Sequence, residues 1–269
     1  MRKIASALLS AILLLGLSAC SNDEPQDQIW LMSSQFINHV TNSDDGTFVS
    51  ATLGGATAEF NVTKMTASID YALAIGEEQI IVSATNARLT AAGSKNGYYI
   101  DVPSATTTSG HTVTNLLVYI DMNLENEVSC HWATATIDGK YELNALVPTI
   151  VFYNTESTIN KLNGQTITNG TGDYKFVVSN ITNEHRSASL SIAGIEGLEP
   201  FYSGIEYNGL SVEPTSTGLH IYCNEAVQGK GRTDYKLNSI DANIDFTSLS
   251  FKATLNVQDT GTITATGSM

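Results

Sequence analysis

Three cysteines and five histidines have the widest chemical reach in this 269-residue chain, and their spacing is the first test of what it could do. Cys130-His131 and His220-x-x-Cys223 offer thiolate and imidazole, the usual zinc ligands. On an extended strand, residues one or three apart point to opposite faces, so neither pair holds one ion without a bulge. Cys130 alternates with Val128 and Trp132, and Cys223 with Leu219 and Ile221, which assigns both thiols, and Trp132 with them, to core-facing positions. The histidines (His39, His111, His131, His185, His220) have no acidic partner at a telling spacing. Asp121-Met122-Asn123-Leu124-Glu125 opens like a calcium loop, but its sixth position, where glycine makes the sharp turn, is Asn126, and its twelfth, where a bidentate Glu belongs, is Trp132. The segment reads as a polar hairpin turn, and the expectation is no metal and no cofactor.

Nucleophilic and phosphate-binding signatures are also missing: there is no Gly-x-Ser-x-Gly elbow, His-Glu-x-x-His, phosphate loop or dinucleotide fingerprint. The expectation is therefore no catalytic residues and no enzyme. Adjacent carboxylates such as Glu77-Glu78, or Glu125 and Glu127, supply the one motive for the alternative, an extracellular polysaccharide hydrolase or a glycan-binding accessory protein. Eleven tyrosines are more suggestive. Tyr98-Tyr99 and the stretch from Tyr202 to Tyr207 lie near turn signals, where exposed rings stack on sugars or fill a partner's pockets.

The elements that must carry these residues are strands. Ala67, Ile69 and Tyr71 alternate with Thr66, Ser68 and Asp70, and Leu116, Val118 and Ile120 alternate with Leu117, Tyr119 and Asp121. Ile240, Ala242, Ile244 and Phe246 return through Thr247-Ser248 into Phe251, Ala253, Leu255 and Val257, an antiparallel hairpin with one wet face. The run from Ile29 to Val40 fits a short helix or a strand equally. At a constant offset of 121 the chain repeats itself: Ala67-Ser68 with Ala188-Ser189, Gly76 with Gly197, Leu89 with Leu210, Gly97 with Gly218, Ile100 with Ile221. An indel later, Ile120-Asp121 matches Ile244-Asp245, and at an offset of 122 Ile37-Asn38 matches Ile159-Asn160. The expected fold is all-β, two tandem antiparallel barrels or sandwiches related by internal duplication, with units at 29–138 and 139–269. The register places Cys130 opposite Phe251 and Cys223 opposite Val102, one inward position in each unit. Separate cores and two free thiols follow, because the sulfurs could not approach one another.

What precedes residue 29 decides where the chain resides. Arg2-Lys3 and the uncharged apolar run Ile4 to Leu17 have the form of a secretory signal, too short to span a bilayer permanently. Leu17-Ser18-Ala19-Cys20 resembles the bacterial lipobox, and the polar Ser21-Asn22-Asp23-Glu24-Pro25 resembles the surface-export tethers of Bacteroidetes lipoproteins. That resemblance implies a signal peptide at 1–19, a lipid on Cys20, a tether over 20–28 and attachment to the outer membrane, facing the cell surface or the periplasm. Loss of residues 1–19 removes two cations and no acid, taking the formal charge from −14 to −16. An acidic surface repels phosphate backbones and headgroups, which excludes nucleic acid and leaves the lipid as the contact with the membrane. The alternation, the terminal hairpin and the Asp138-Gly139 and Asp259-Thr260-Gly261 turns are similar to the calycin-like barrel lipoproteins, which implies closed sheets and no known activity. The function expected is a non-catalytic binding or interaction module whose partner is a glycan, a small apolar ligand or a protein.

Overall fold

The computed structural model describes residues 27–93, 97–122, 128–181, 186–230 and 232–269, so the leader, Cys20 and the 123–127 segment lie outside the described residues. The regular structure among them is all strand. β1 (Ile29–Asn42), β2 (Phe48–Asn61), β3 (Thr66–Ile75), β4 (Glu78–Ala91), β5 (Gly97–Thr106), β6 (Thr112–Met122), β7 (Val128–Ile137) and β8 (Tyr141–Leu146) pair in sequence order, and β8 returns to β1. The result is a closed up-and-down antiparallel barrel. A second barrel uses β9 (Thr149–Lys161), β10 (Thr166–Ile181), β11 (Arg186–Ala193), β12 (Ile205–Pro214), β13 (Gly218–Tyr222), β15 (Arg232–Asp245), β16 (Ser250–Val257) and β17 (Gly261–Ser268), closing through the β17–β9 pair. The three-residue β14 (Val227–Gly229) is wedged between β12 and β15. The expected all-β pair of barrels is what the chain forms, and both are consistent with a calycin-like fold.

The Ile29–Val40 run is strand throughout. Asp138-Gly139, with φ of 55° and 64°, has the left-handed backbone that matches a two-residue hairpin to strand twist. It joins β7 to β8 inside the first barrel, which therefore runs to Leu146, past the boundary expected at 138. Without β8 the backbone groups of β1 and β7 would be left as open edges. The offset of 121 maps β3 on β11, β4 on β12, β5 on β13 and β6 on β15. Leu89 and Leu210, Ile100 and Ile221, and Ile120 and Ile244 all point inward, and Gly76 and Gly197 both turn the chain at positive φ. The upstream match at 122 does not hold: Ile159 faces the interior of its own barrel, whereas the inward residues around Ile37 are Phe36, Asn38 and Val40.

Ile37 instead points outward and joins the core of the other barrel. The first core holds Phe36, Phe60, Tyr71, Leu73 and Ile80; the second is built on Phe152, Phe176 and Phe251 and extends to Ile37 and Leu146, with Ala51 and Trp132 packed on it. One mouth of the second barrel, where Thr215 and Phe246 lie, thus sits against the side wall of the first. His39, 1% exposed, marks this junction: its Nε2 donates to the Thr215 carbonyl at 2.7 Å, and its ring lies 5.7 Å from that of Phe246. Because a carbonyl only accepts, Nε2 carries the proton. The opposite mouth is filled by the β11–β12 connection, which buries Ile195, Leu198 and Phe201. Gly172 makes room for it, since a Cβ there would lie 2.6 Å from Ile195 Cγ1. Cys223 is a free thiol packed on the second core, and burial pushes its pKa up. The Cys130 side chain lies outside the described residues.

Candidate functional site

The structure corrects the placement of Trp132. Tyr119 pairs with Trp132, but Ile120 pairs with Cys130, so the β7 strand carries one extra residue at His131. A bulge of this kind shifts the side-chain alternation by one. Ala133, Ala135 and Ile137 therefore enter the barrel, and Trp132 stands outside, half-buried. Of the tyrosines singled out above, Tyr98 packs inward, Tyr207 is fully buried, Tyr202 is exposed and Tyr99 is half-buried on the outer wall.

Strand register gathers three of these rings. Tyr99 of β5 faces Tyr119 of β6, which faces Trp132 of β7, with centroids 5.3 Å and 5.7 Å apart and 5.9 Å between Tyr99 and Trp132. A Cβ on Gly97 would lie 2.6 Å from the Tyr119 hydroxyl and 3.0 Å from Cε2, so the phenol lies across the Gly97 backbone with one face on the sheet. Trp132 is tilted only 20° from it, while Tyr99 stands 47° off. Asp121 lies beyond this row on one side, opposite Gly97; Asp101 and Leu117 lie on the other. Replacing Gly97 with alanine should lift the Tyr119 ring and shift Trp132 emission while changing stability by only about 1 kcal/mol, since the ring can swing away; an unchanged emission spectrum would show that Tyr119 does not rest there.

Three of the histidines, His111, His131 and His220, do have acidic partners, which sequence spacing could not reveal because each is delivered from another strand or turn, while His185 lies outside the described residues. His111 Nδ1 lies 2.6 Å from Asp138 Oδ2 and its Nε2 lies 3.0 Å from Glu78 Oε1; His220 Nε2 lies 3.0 Å from Asp241 Oδ1. His131 Nε2 and Asp121 Oδ2 are 4.0 Å apart. Asp138, then Glu78, raise the His111 pKa, and His111 lowers that of Asp138. One imidazole thus ties together three turns at one end of the first barrel, with both ring nitrogens engaged by carboxylates. The raised His111 pKa gives stability that is full below about pH 6.5 and fades as pH rises through the folded value; the lowered Asp138 pKa gives stability that is full above about pH 4 and fades in acid. His111→Gln should therefore cost most between these limits and least in alkali, once His111 has lost its proton. A thermal-melt difference that grows with alkalinity would refute the clasp.

The second barrel carries a concavity of about 530 Å³ of mixed character, lined by Thr215, Thr217, Asn243, Asp245, Ser250, Lys252, Thr266 and Ser268 together with Ile244 and Phe251, and a smaller one of about 130 Å³ that shares Lys252 and Thr266. Asn243, Lys252, Thr266 and Glu156 stand in one cross-strand row on its outer wall. It offers hydroxyl, amide, carboxylate and ammonium groups for hydrogen bonding. Among the described residues no three His, Cys, Asp or Glu groups are placed to hold a metal ion, and no helix is long and apolar enough to cross a membrane. Comparison with known proteins finds no matching family model, no matching curated protein and no matching solved structure.

Proposed function

We propose that the chain is a lipid-anchored, non-catalytic binding module of the bacterial outer membrane, held by Cys20 on a short tether and presenting the outer wall of its first barrel to a partner. The observation that carries this reading is the aromatic platform of Tyr99, Tyr119 and Trp132. Three large, part-buried rings gather on one barrel wall within 5.9 Å of one another, with Trp132 also packed against the second core, and their remaining exposed surface offers an aromatic contact to a ligand. The lipobox and the acidic tether support the location.

A glycan array read alongside a reducing-sugar assay and pull-down of envelope proteins tests the functional class. Binding without product, lost on Trp132→Ala, is expected; turnover abolished by a single carboxylate substitution would replace the reading with the polysaccharide hydrolase. Cys20→Ser should move the protein from the membrane to the soluble fraction, and persistence in the membrane would remove the lipid anchor from the proposal.

A further inference from the structure

We propose that the platform receives the guanidinium group of an arginine presented by a partner protein. The inference rests on reading Tyr99, Tyr119 and Trp132 as the binding face, and it names the occupant. The three centroids form a nearly equilateral triangle, with sides of 5.3, 5.7 and 5.9 Å. A cation about 4 Å above its centre lies ~5 Å from all three centroids at once, inside the roughly 6 Å reach of the attraction between a cation and a ring quadrupole. A planar guanidinium also stacks on an aromatic face, which a compact ammonium does not.

The surroundings have the complementary sign. Asp121 and Asp101 flank the ring row on opposite sides, where a guanidinium fork finds carboxylate oxygens. Arg88, opposite Asp101 on β4, is the cation that register brings beside this row. His131, in contact with Tyr119, adds no positive charge at neutral pH, because burial lowers its pKa. The Tyr119 hydroxyl stays protonated, its pKa raised first by burial and then by Asp121. With a formal charge of −14 over the whole sequence, the molecule as a whole attracts basic segments and steers them in. A neutral pyranose would use the rings but would gain nothing from this field.

Trp132 is the natural reporter, since the only other indole, Trp30, packs against the first core with its N–H buried. The probes are acetylated hexa-arginine amide, hexa-lysine amide, hexa-glutamate amide and a panel of neutral oligosaccharides, titrated at 50 mM salt against the full mature chain carrying Cys20→Ser. Hexa-arginine should change Trp132 emission saturably, bind about tenfold tighter than hexa-lysine and weaken at 500 mM salt. Tyr119→Leu, which keeps apolar volume and removes the ring, should weaken it about tenfold with the melting temperature held; Asp121→Asn should weaken it about threefold or more. Binding of hexa-arginine that ignores Tyr119→Leu would be attraction to an acidic surface, and the proposal fails. A saturable response to an oligosaccharide but not to arginine overturns it while sparing the binding module. Silence from every probe at Trp132 removes both.

Discussion

Ile37→Asp is expected to unfold the second barrel at a denaturant concentration where the first remains intact, although the substitution lies in the first. Ile37 is fully buried, yet its side chain belongs to the second core, together with Leu146. Placing a carboxylate there both removes apolar contacts and leaves a buried charge without a partner, a combination that costs about 4 kcal/mol or more. The loss should fall on the mouth that the wall covers. Amides of β9, β13 and β16 should exchange faster with solvent, while those of β3 and β4, on the far side of the first barrel, should keep their protection. Ile37→Val, which keeps most of the contact, should cost only about 1 kcal/mol. If Ile37→Asp slowed or spared exchange in the second barrel, the idea that one barrel closes the other would be wrong.

The same junction has an acid-sensitive point. Burial holds the His39 pKa below its ordinary value, against a smaller opposing pull from its bond to Thr215 and from Asp245. For a base with a lowered folded pKa, the unfolded chain takes up protons first as pH falls through about 6.5, so this contribution to stability is lost in acid. His39 and His111 therefore act in opposite directions. The first loosens the contact between barrels on acidification, while the second tightens the end of one barrel.

The strands and cores were readable because a period of two survives wherever a strand has one wet face. Ile240, Ala242, Ile244 and Phe246 are all buried as their alternation indicates, and so are Phe251, Ala253, Leu255 and Val257. The duplication was readable for the same reason, since each matched residue keeps its face. Trp132 was not, because one inserted residue at His131 inverts the phase of everything after it, and no local signal marks a bulge in this stretch. Ile37 and His39 were misleading in another way: they face outward from their own sheet and are covered by a barrel folded from residues more than a hundred positions later. The clasp on His111 joins residues 33 and 27 positions away in sequence, set by barrel closure rather than by any spacing rule. The platform inherits both difficulties. Its rings come from three strands, and Gly97, which lets Tyr119 lie flat, reads in sequence as one more strand-edge glycine.

Phe201→Ala should cost about 3–5 kcal/mol and give the second barrel a ligand-sized void that the native protein lacks at this position. Phe201 is fully buried and closes the mouth opposite the junction, with Ile195 and Leu198 beside it. The backbone of this plug is tied down by its own bonds, from the Ile195 amide to the Phe201 carbonyl and from the Tyr202 amide to the Leu198 carbonyl. A hairpin held in this way cannot simply collapse into the space left by the ring, so the variant should keep an apolar cavity and bind benzene or xenon, as dry cavities in other proteins do. This bears directly on the small apolar ligand considered from the sequence. An interior already filled by Phe152, Phe176, Phe201 and Phe251 has its own side chains where a barrel-bound ligand would sit, which directs the search for a partner to the outer wall. Calorimetric titration of the native protein with small aromatic ligands should show no binding at this position and that of Phe201→Ala should. Native protein that binds them, with affinity lost rather than gained on the substitution, would make the plug a lid over a working pocket and reverse the argument.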